Sequence, residues 1–105
     1  MSSTRDDIIN VLEPRAEDAA SYMKTLGHQG RLMILAHLKT GEKSVGELEK
    51  LLNIRQAAVS QQLARLREEG IVDTRRDGKT VFYSLTDAKT TKMVAIIAEL
   101  FNSTH

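Results

Sequence analysis

Residues 55–70 read RQAAVSQQLARLREEG, and the fold turns on what this segment is built to do. At about 100° per residue, Val59, Leu63 and Leu66 share one face, the apolar stripe of a helix packed on a core. Roughly opposite lie Ala57, Gln61, Ala64 and Arg65, flanked by Gln56 and Ser60. An ordinary solvated helix would carry Glu and Lys there. Alanine, serine and glutamine instead make that face small, amide-rich and lightly charged, and Gly70 ends the helix.

Upstream, Ser44 and Glu47 in SVGE form a capping box that opens a short helix to Leu51 or Leu52, and Asn53 supplies a tight turn into the quoted segment. Two short helices joined in this way make a helix-turn-helix. Downstream the period changes from helical to alternating. IVDTRR and KTVFYSL are two β-rich runs separated by Asp77-Gly78, a signal for a two-residue hairpin turn. Arg75, Arg76 and Lys79 cluster about that turn, while Val72, Val81 and Tyr83 face the core.

Farther out, residues 4–7 (TRDD) resemble a capping box before Ile8, Ile9 and Leu12, and Pro14 suits the first position of a new helix running to about Leu26. Gly27 and Gly30 break and restart the chain, and the next helix carries Leu32, Ile34, Leu35 and Leu38 to a stop at Gly41. Thr86 caps a last helix from Asp87 to about Phe101. The expected fold is mainly α with a small β-hairpin, α-α-α-α-β-β-α. Residues 1–13 form an N-terminal extension and 14–105 a single domain.

Composition bounds the function. The chain has 105 residues, no cysteine and a net charge of +1, so it holds one small domain without disulfides or thiolate metal sites. No apolar run is long enough for a membrane span, and the first residues lack the pattern of an export signal. A cytoplasmic protein without a membrane association is expected. His28, His37 and His105 are the only histidines. The first two are nine residues apart, which is not the i, i+4 spacing of ligands on one helical face, so no metal or other cofactor is expected.

The helix-turn-helix points to double-stranded DNA. Small side chains let a helix backbone approach the major groove, alanine can touch a thymine methyl, and glutamine can bind an adenine edge. Gln56, Ala57, Ser60 and Gln61 are the expected base readers. Arg65, with Arg67 beyond it, is placed to meet phosphate, and Arg75, Arg76 and Lys79 suit a wing laid along the backbone. The competing readings are a solvated helix that happens to be glutamine-rich and an edge hairpin protected by charge.

The segment GHQGRLMILAHL, followed by SVGELEKLLNIRQAAVSQQLARLREEGIVDTRRDGKTVFYSL, resembles the ArsR/SmtB family of winged helix-turn-helix transcriptional regulators, over about residues 20–101. RLMIL, SVGEL and TVFY bring it nearest the branch of HlyU, BigR and SqrR type regulators. The resemblance implies a homodimeric repressor on an inverted-repeat operator, with an inducer that weakens binding. It assigns DNA reading to Gln56, Ala57, Ser60 and Gln61, and the wing to Arg75, Arg76 and Lys79.

The departures concern sensing. Ser44 and Gly46 stand where arsenic and cadmium sensors carry a Cys-x-Cys pair. Asp87 is followed by Lys89 where zinc and nickel sensors carry histidine. Ala36 and Asn102 stand where the resembled branch carries its two cysteines, and Gln62 replaces the family's usual histidine. The inducer is therefore unidentified.

In the last helix, Met93, Val94, Ile96, Ile97, Leu100 and Phe101 span a stripe wider than the roughly 100° of a simple surface helix. Met93, Ile96, Ile97, Leu100 and Phe101, joined by Tyr22 and Met23, are the expected dimer interface. A winged helix used for protein–protein contact is the alternative, but the clustered cations and the lack of an exposed anchor on the reading helix favour DNA. An enzyme is not expected, since the sequence has no cysteine, no glycine-rich phosphate loop and no Ser/His/acid set at a recognisable spacing.

Overall fold

In a computed structural model, the protein is described over residues 4–102, with side chains from Asp7 onward. The capping box expected over residues 4–7, and His105, lie outside the described side chains. Helix α1 spans Thr4–Leu12, α2 Ala16–Leu26, α3 Gln29–Lys39, α4 Val45–Leu52, α5 Gln56–Glu68 and α6 Ala88–Leu100. Strands β1 (Lys43–Ser44), β2 (Val72–Asp77) and β3 (Thr80–Leu85) form one antiparallel sheet in the order β1-β3-β2.

The core is one cluster to which α2, α3, α4, α5, β2 and α6 contribute. Ile34, Leu35, Leu48, Val59, Leu63 and Leu66 are fully buried, with Leu26, Leu38, Ile71, Val72 and Val94 closing around them. The apolar face read from the quoted segment is thus the face that anchors α5. Its end is a left-handed cap in which Gly70 takes φ 74°. The Gly70 N–H reaches the Arg67 carbonyl at 3.0 Å and the Ile71 N–H reaches that of Leu66 at 3.0 Å. That pairing satisfies two terminal carbonyls and drops Ile71 into the core beside Leu66. Truncating Leu66 to alanine would remove the centre of this packing, at a cost of about 2–5 kcal/mol.

Several expected boundaries shift, each for a local reason. Pro14 does not open α2. It sits in a single 3-10 turn, Glu13–Arg15, and α2 begins at Ala16, because a residue without an N–H fits the tighter turn. Gly30 does not interrupt the chain but lies in the first turn of α3, whose N-cap is His28. The last helix is capped at Asp87, not Thr86. Thr86 instead donates its N–H to the Ile71 carbonyl at 3.1 Å.

The hairpin turn also falls one residue later than Asp77-Gly78. Asp77 pairs with Thr80, so the loop residues are Gly78 and Lys79. Gly78 has φ 64° and Lys79 does not share the positive φ, the arrangement of a hairpin turn that needs glycine at its first central position. The sheet gains a third strand, since Lys43 and Ser44 pair with Tyr83 and Phe82. The capping box at Ser44 forms in full: the Glu47 N–H donates to Ser44 Oγ at 3.1 Å and the Ser44 N–H donates to Glu47 Oε1 at 2.9 Å.

Candidate nucleic-acid interface

Helix α4, the left-handed Asn53 (φ 54°) and α5 make the expected helix-turn-helix. With Val59, Leu63 and Leu66 buried, rotation about the α5 axis is set, and Gln56, Ala57, Ser60, Gln61 and Arg65 are all exposed. Ala58, Ala64 and Arg67 extend the same solvent side. The N-cap Arg55 makes no side-chain capping bond, so the first turn of α5 presents unfilled backbone N–H groups beside Gln56 and Ala57.

A polar tie fixes the C-terminal end of α5 to α2 and α3. Glu69 accepts from Arg65 Nε at 2.6 Å and from the buried Thr25 hydroxyl at 2.7 Å. Burial pushes the Glu69 carboxyl up, but the hydrogen bonds from Arg65 and Thr25 outweigh it and hold the group below its ordinary range. Arg31 donates from Nε to the Thr25 carbonyl at 2.7 Å and from Nη1 to Gln62 Oε1 at 3.1 Å. Gln62, half-buried where the resemblance has histidine, is therefore part of the scaffold. Arg65 is at once a solvent-side cation and the partner of Glu69.

The wing residues divide. Along β2 side chains alternate, so Arg75 and Arg76 lie on opposite faces, and Arg76, Gly78 and Lys79 are exposed around the turn. Arg75 pairs across the sheet with Phe82, over whose ring its guanidinium sits at 4.8 Å. It also holds the Glu42 carboxylate through Nε and Nη2. The hydrogen bonds from Arg75 keep the Glu42 carboxyl below its ordinary range. Glu42 was missed in the sequence because it lies thirty-three residues from its partner. Val72 is buried and Val81 and Tyr83 are half-buried, with Tyr83 packed against the core as a holding residue.

The remaining expected residues fall on α2 and α6. Thr90 and Val94 turn α6 inward, while Ile96 (47% exposed), Leu100 (74%) and Phe101 (74%) face solvent with Met23 (65%) of α2. Met93 and Ile97 are half-buried between the two faces. Tyr22 is half-buried and its hydroxyl shares a hydrogen bond with Thr90 Oγ1 at 2.8 Å within the chain.

The positions matched to sensing ligands do structural duty. Ser44 caps α4. Asp87 stands at the N-cap position of α6 without a side-chain capping bond, and its carboxylate accepts from the Thr90 hydroxyl and from Lys89 at 3.2 Å. Ala36 packs against the core, and the Asn102 N–H bonds the Glu99 carbonyl. His28 caps α3 and His37 lies in that helix's last turn. Among the described residues, no group of three or more His, Cys, Asp or Glu could hold a metal ion, and no helix is long and apolar enough to cross a membrane.

A helix-turn-helix whose second helix is anchored by buried residues, beside a three-stranded sheet with a cationic tip, is the architecture of a winged helix-turn-helix protein. The family described as "Bacterial regulatory protein, arsR family" matches residues 28–74. The chain is 49% identical over 90 residues to the biofilm growth-associated repressor of Agrobacterium fabrum, covering 86% of this chain and 77% of that protein. It is 38% identical to the transcriptional activator HlyU of Vibrio cholerae, covering 86% and 83%. The crystal structure of the transcriptional repressor BigR from Xylella fastidiosa superposes with a TM-score of 0.84 at 46% identity, over 96% of this chain and 99% of that one. The protein belongs to the arsR family and is a transcriptional regulator, not an enzyme.

Proposed function

We propose that the chain is a homodimeric, cytoplasmic repressor that binds an inverted-repeat operator. In this reading α5 lies in the major groove, where Gln56, Ala57, Ser60 and Gln61 meet base edges. Arg65, Arg76 and Lys79 meet phosphates, and Arg75 joins them when it leaves Glu42. Residues 14–105 carry DNA binding and dimerisation, with 1–13 as an extension. Tyr22, Met23, Met93, Ile96, Ile97, Leu100 and Phe101 form the contact between copies, and an unidentified inducer or protein partner relieves repression.

The observation that carries the reading is the exposed alanine, serine and glutamine face of α5, held in one rotation by three fully buried residues on its other side. Such a face costs less to desolvate than a charged one, and its amides are groups that can bind an adenine edge. The relatives named as repressors support the choice of repression.

Gln61→Ala tests it. On an operator recovered by selection from random duplexes, the variant should lose about 1–3 kcal/mol of affinity and tolerate more bases at one position. Its affinity for unselected DNA should stay near that of the parent protein, whose binding should fall steeply with salt. Equal loss on both kinds of DNA would remove Gln61 from base reading.

A further inference from the structure

The wing contains a donor set that is already occupied. Strands β1 and β2 flank β3, so Glu42, immediately before β1, and Arg75, on β2, meet beside Phe82. Arg75 Nε lies 3.0 and 2.9 Å from the two Glu42 oxygens, and Nη2 donates to Oε1. One edge of the guanidinium is thus filled by a carboxylate, in the paired geometry that a backbone phosphate would also use. Phe82 covers one face of the same group. The pair is electrically neutral, so Arg75 as it stands adds little to the field of the wing. It is also solvent-accessible on both sides, 54% for Arg75 and 37% for Glu42, and an exposed pair of this kind exchanges partners readily.

We infer that Glu42 is an internal stand-in for phosphate, an affinity-limiting residue that competes with the DNA backbone for Arg75. The inference rests on the reading of the wing as a backbone contact. Its consequence follows from how proteins bind the DNA backbone. Binding to unselected DNA is almost wholly a matter of neutralised phosphates. A carboxylate that withholds one arginine lowers the sequence-independent part. Arg76 and Lys79, on the opposite face and at the turn, keep the wing cationic.

The test compares the parent protein, Glu42→Gln, Arg75→Gln and the double variant on a random-sequence duplex. Affinity is measured by fluorescence anisotropy across a salt series, and circular dichroism checks that all four are folded. In the parent background, Glu42→Gln should tighten binding several-fold and steepen the salt dependence by up to about 0.9, the value for one further phosphate. In the Arg75→Gln background the same exchange should give a smaller gain, because only the loss of a repelling charge remains. An equal gain in both backgrounds would overturn the competition and leave simple repulsion. Weaker binding by Glu42→Gln would also overturn it, since Glu42 would then be steering Arg75 toward phosphate. A parent protein that ignores DNA at low salt would remove the wing reading itself, and this inference with it.

Discussion

His28 occupies a position where serine, threonine, aspartate or asparagine usually stands. Its Nδ1 accepts from the N–H groups of Gly30 at 3.1 Å and Arg31 at 3.4 Å, filling two of the donors that the start of α3 leaves open. The imidazole fits because the second helical residue is glycine: a Cβ at Gly30 would stand 3.1 Å from His28 Cε1. His28→Ala should therefore cost about 1 kcal/mol, a fall of about 4–8 °C in Tm for a domain of this size. His28→Asn should keep most of that stability, since its carbonyl can accept the same N–H groups. Thermal unfolding of the three proteins decides the matter, and an asparagine variant as unstable as the alanine one would show that capping is not the role.

Among the elements, the tie at the end of α5 makes the stability of the fold depend on pH. The Glu69 carboxyl lies below its ordinary value of 4.5 in the folded protein. A carboxyl depressed on folding contributes stability that is present above its unfolded pKa and lost as pH falls through the folded one. Glu69→Gln should thus unfold at a lower temperature than the parent near neutral pH, and the two should converge as pH drops through the acid range. A gap that stays constant from neutral to acid pH would mean that the Arg65 and Thr25 contacts do not depend on the charge. These elements were legible in the sequence to different degrees. The anchored face of α5, the Gly70 stop and the Ser44 capping box depend on neighbours three or four residues away, and period and cap chemistry expose them directly. β1 was invisible because Lys43 and Ser44 have no strand character, and their pairing comes from Tyr83 and Phe82 brought in by the tertiary fold. The Arg75–Glu42 pair was equally hidden, and with it the division of the three exposed wing cations into one paired with a carboxylate and two with no ion pair among the described residues.

For the whole molecule, the proposed dimer would cover apolar surface that the single chain leaves exposed. The radius of gyration is 16.2 Å and the extents are 57 × 36 × 20 Å, against about 13 Å for a compact chain of this length. Exposed Ile8, Ile9, Val11 and Leu12 of α1, Met23 of α2, and Ile96, Leu100 and Phe101 of α6 lie outside the monomer core. Scattered exposed leucines need no explanation, but large apolar residues left exposed on the first two helices and the last one are the surface the proposed dimer would bury. A two-fold pairing through α2 and α6 would set two copies of α5 about one DNA turn apart, roughly 34 Å. Ile96→Glu combined with Leu100→Glu places two charges on that surface without touching Val94 or the core beneath it. Sedimentation should report a dimer for the parent and a monomer for the variant at the same concentration, with helical content retained. Affinity for a full operator should fall toward that for a half-site. Spacing supplies an independent check: inserting about 5 base pairs between half-sites turns one to the far side of the duplex and should abolish tight binding by the parent. The monomeric variant, reading each half-site alone, should be indifferent to that insertion. A parent protein equally indifferent to it would mean that the two reading helices are not joined through α2 and α6.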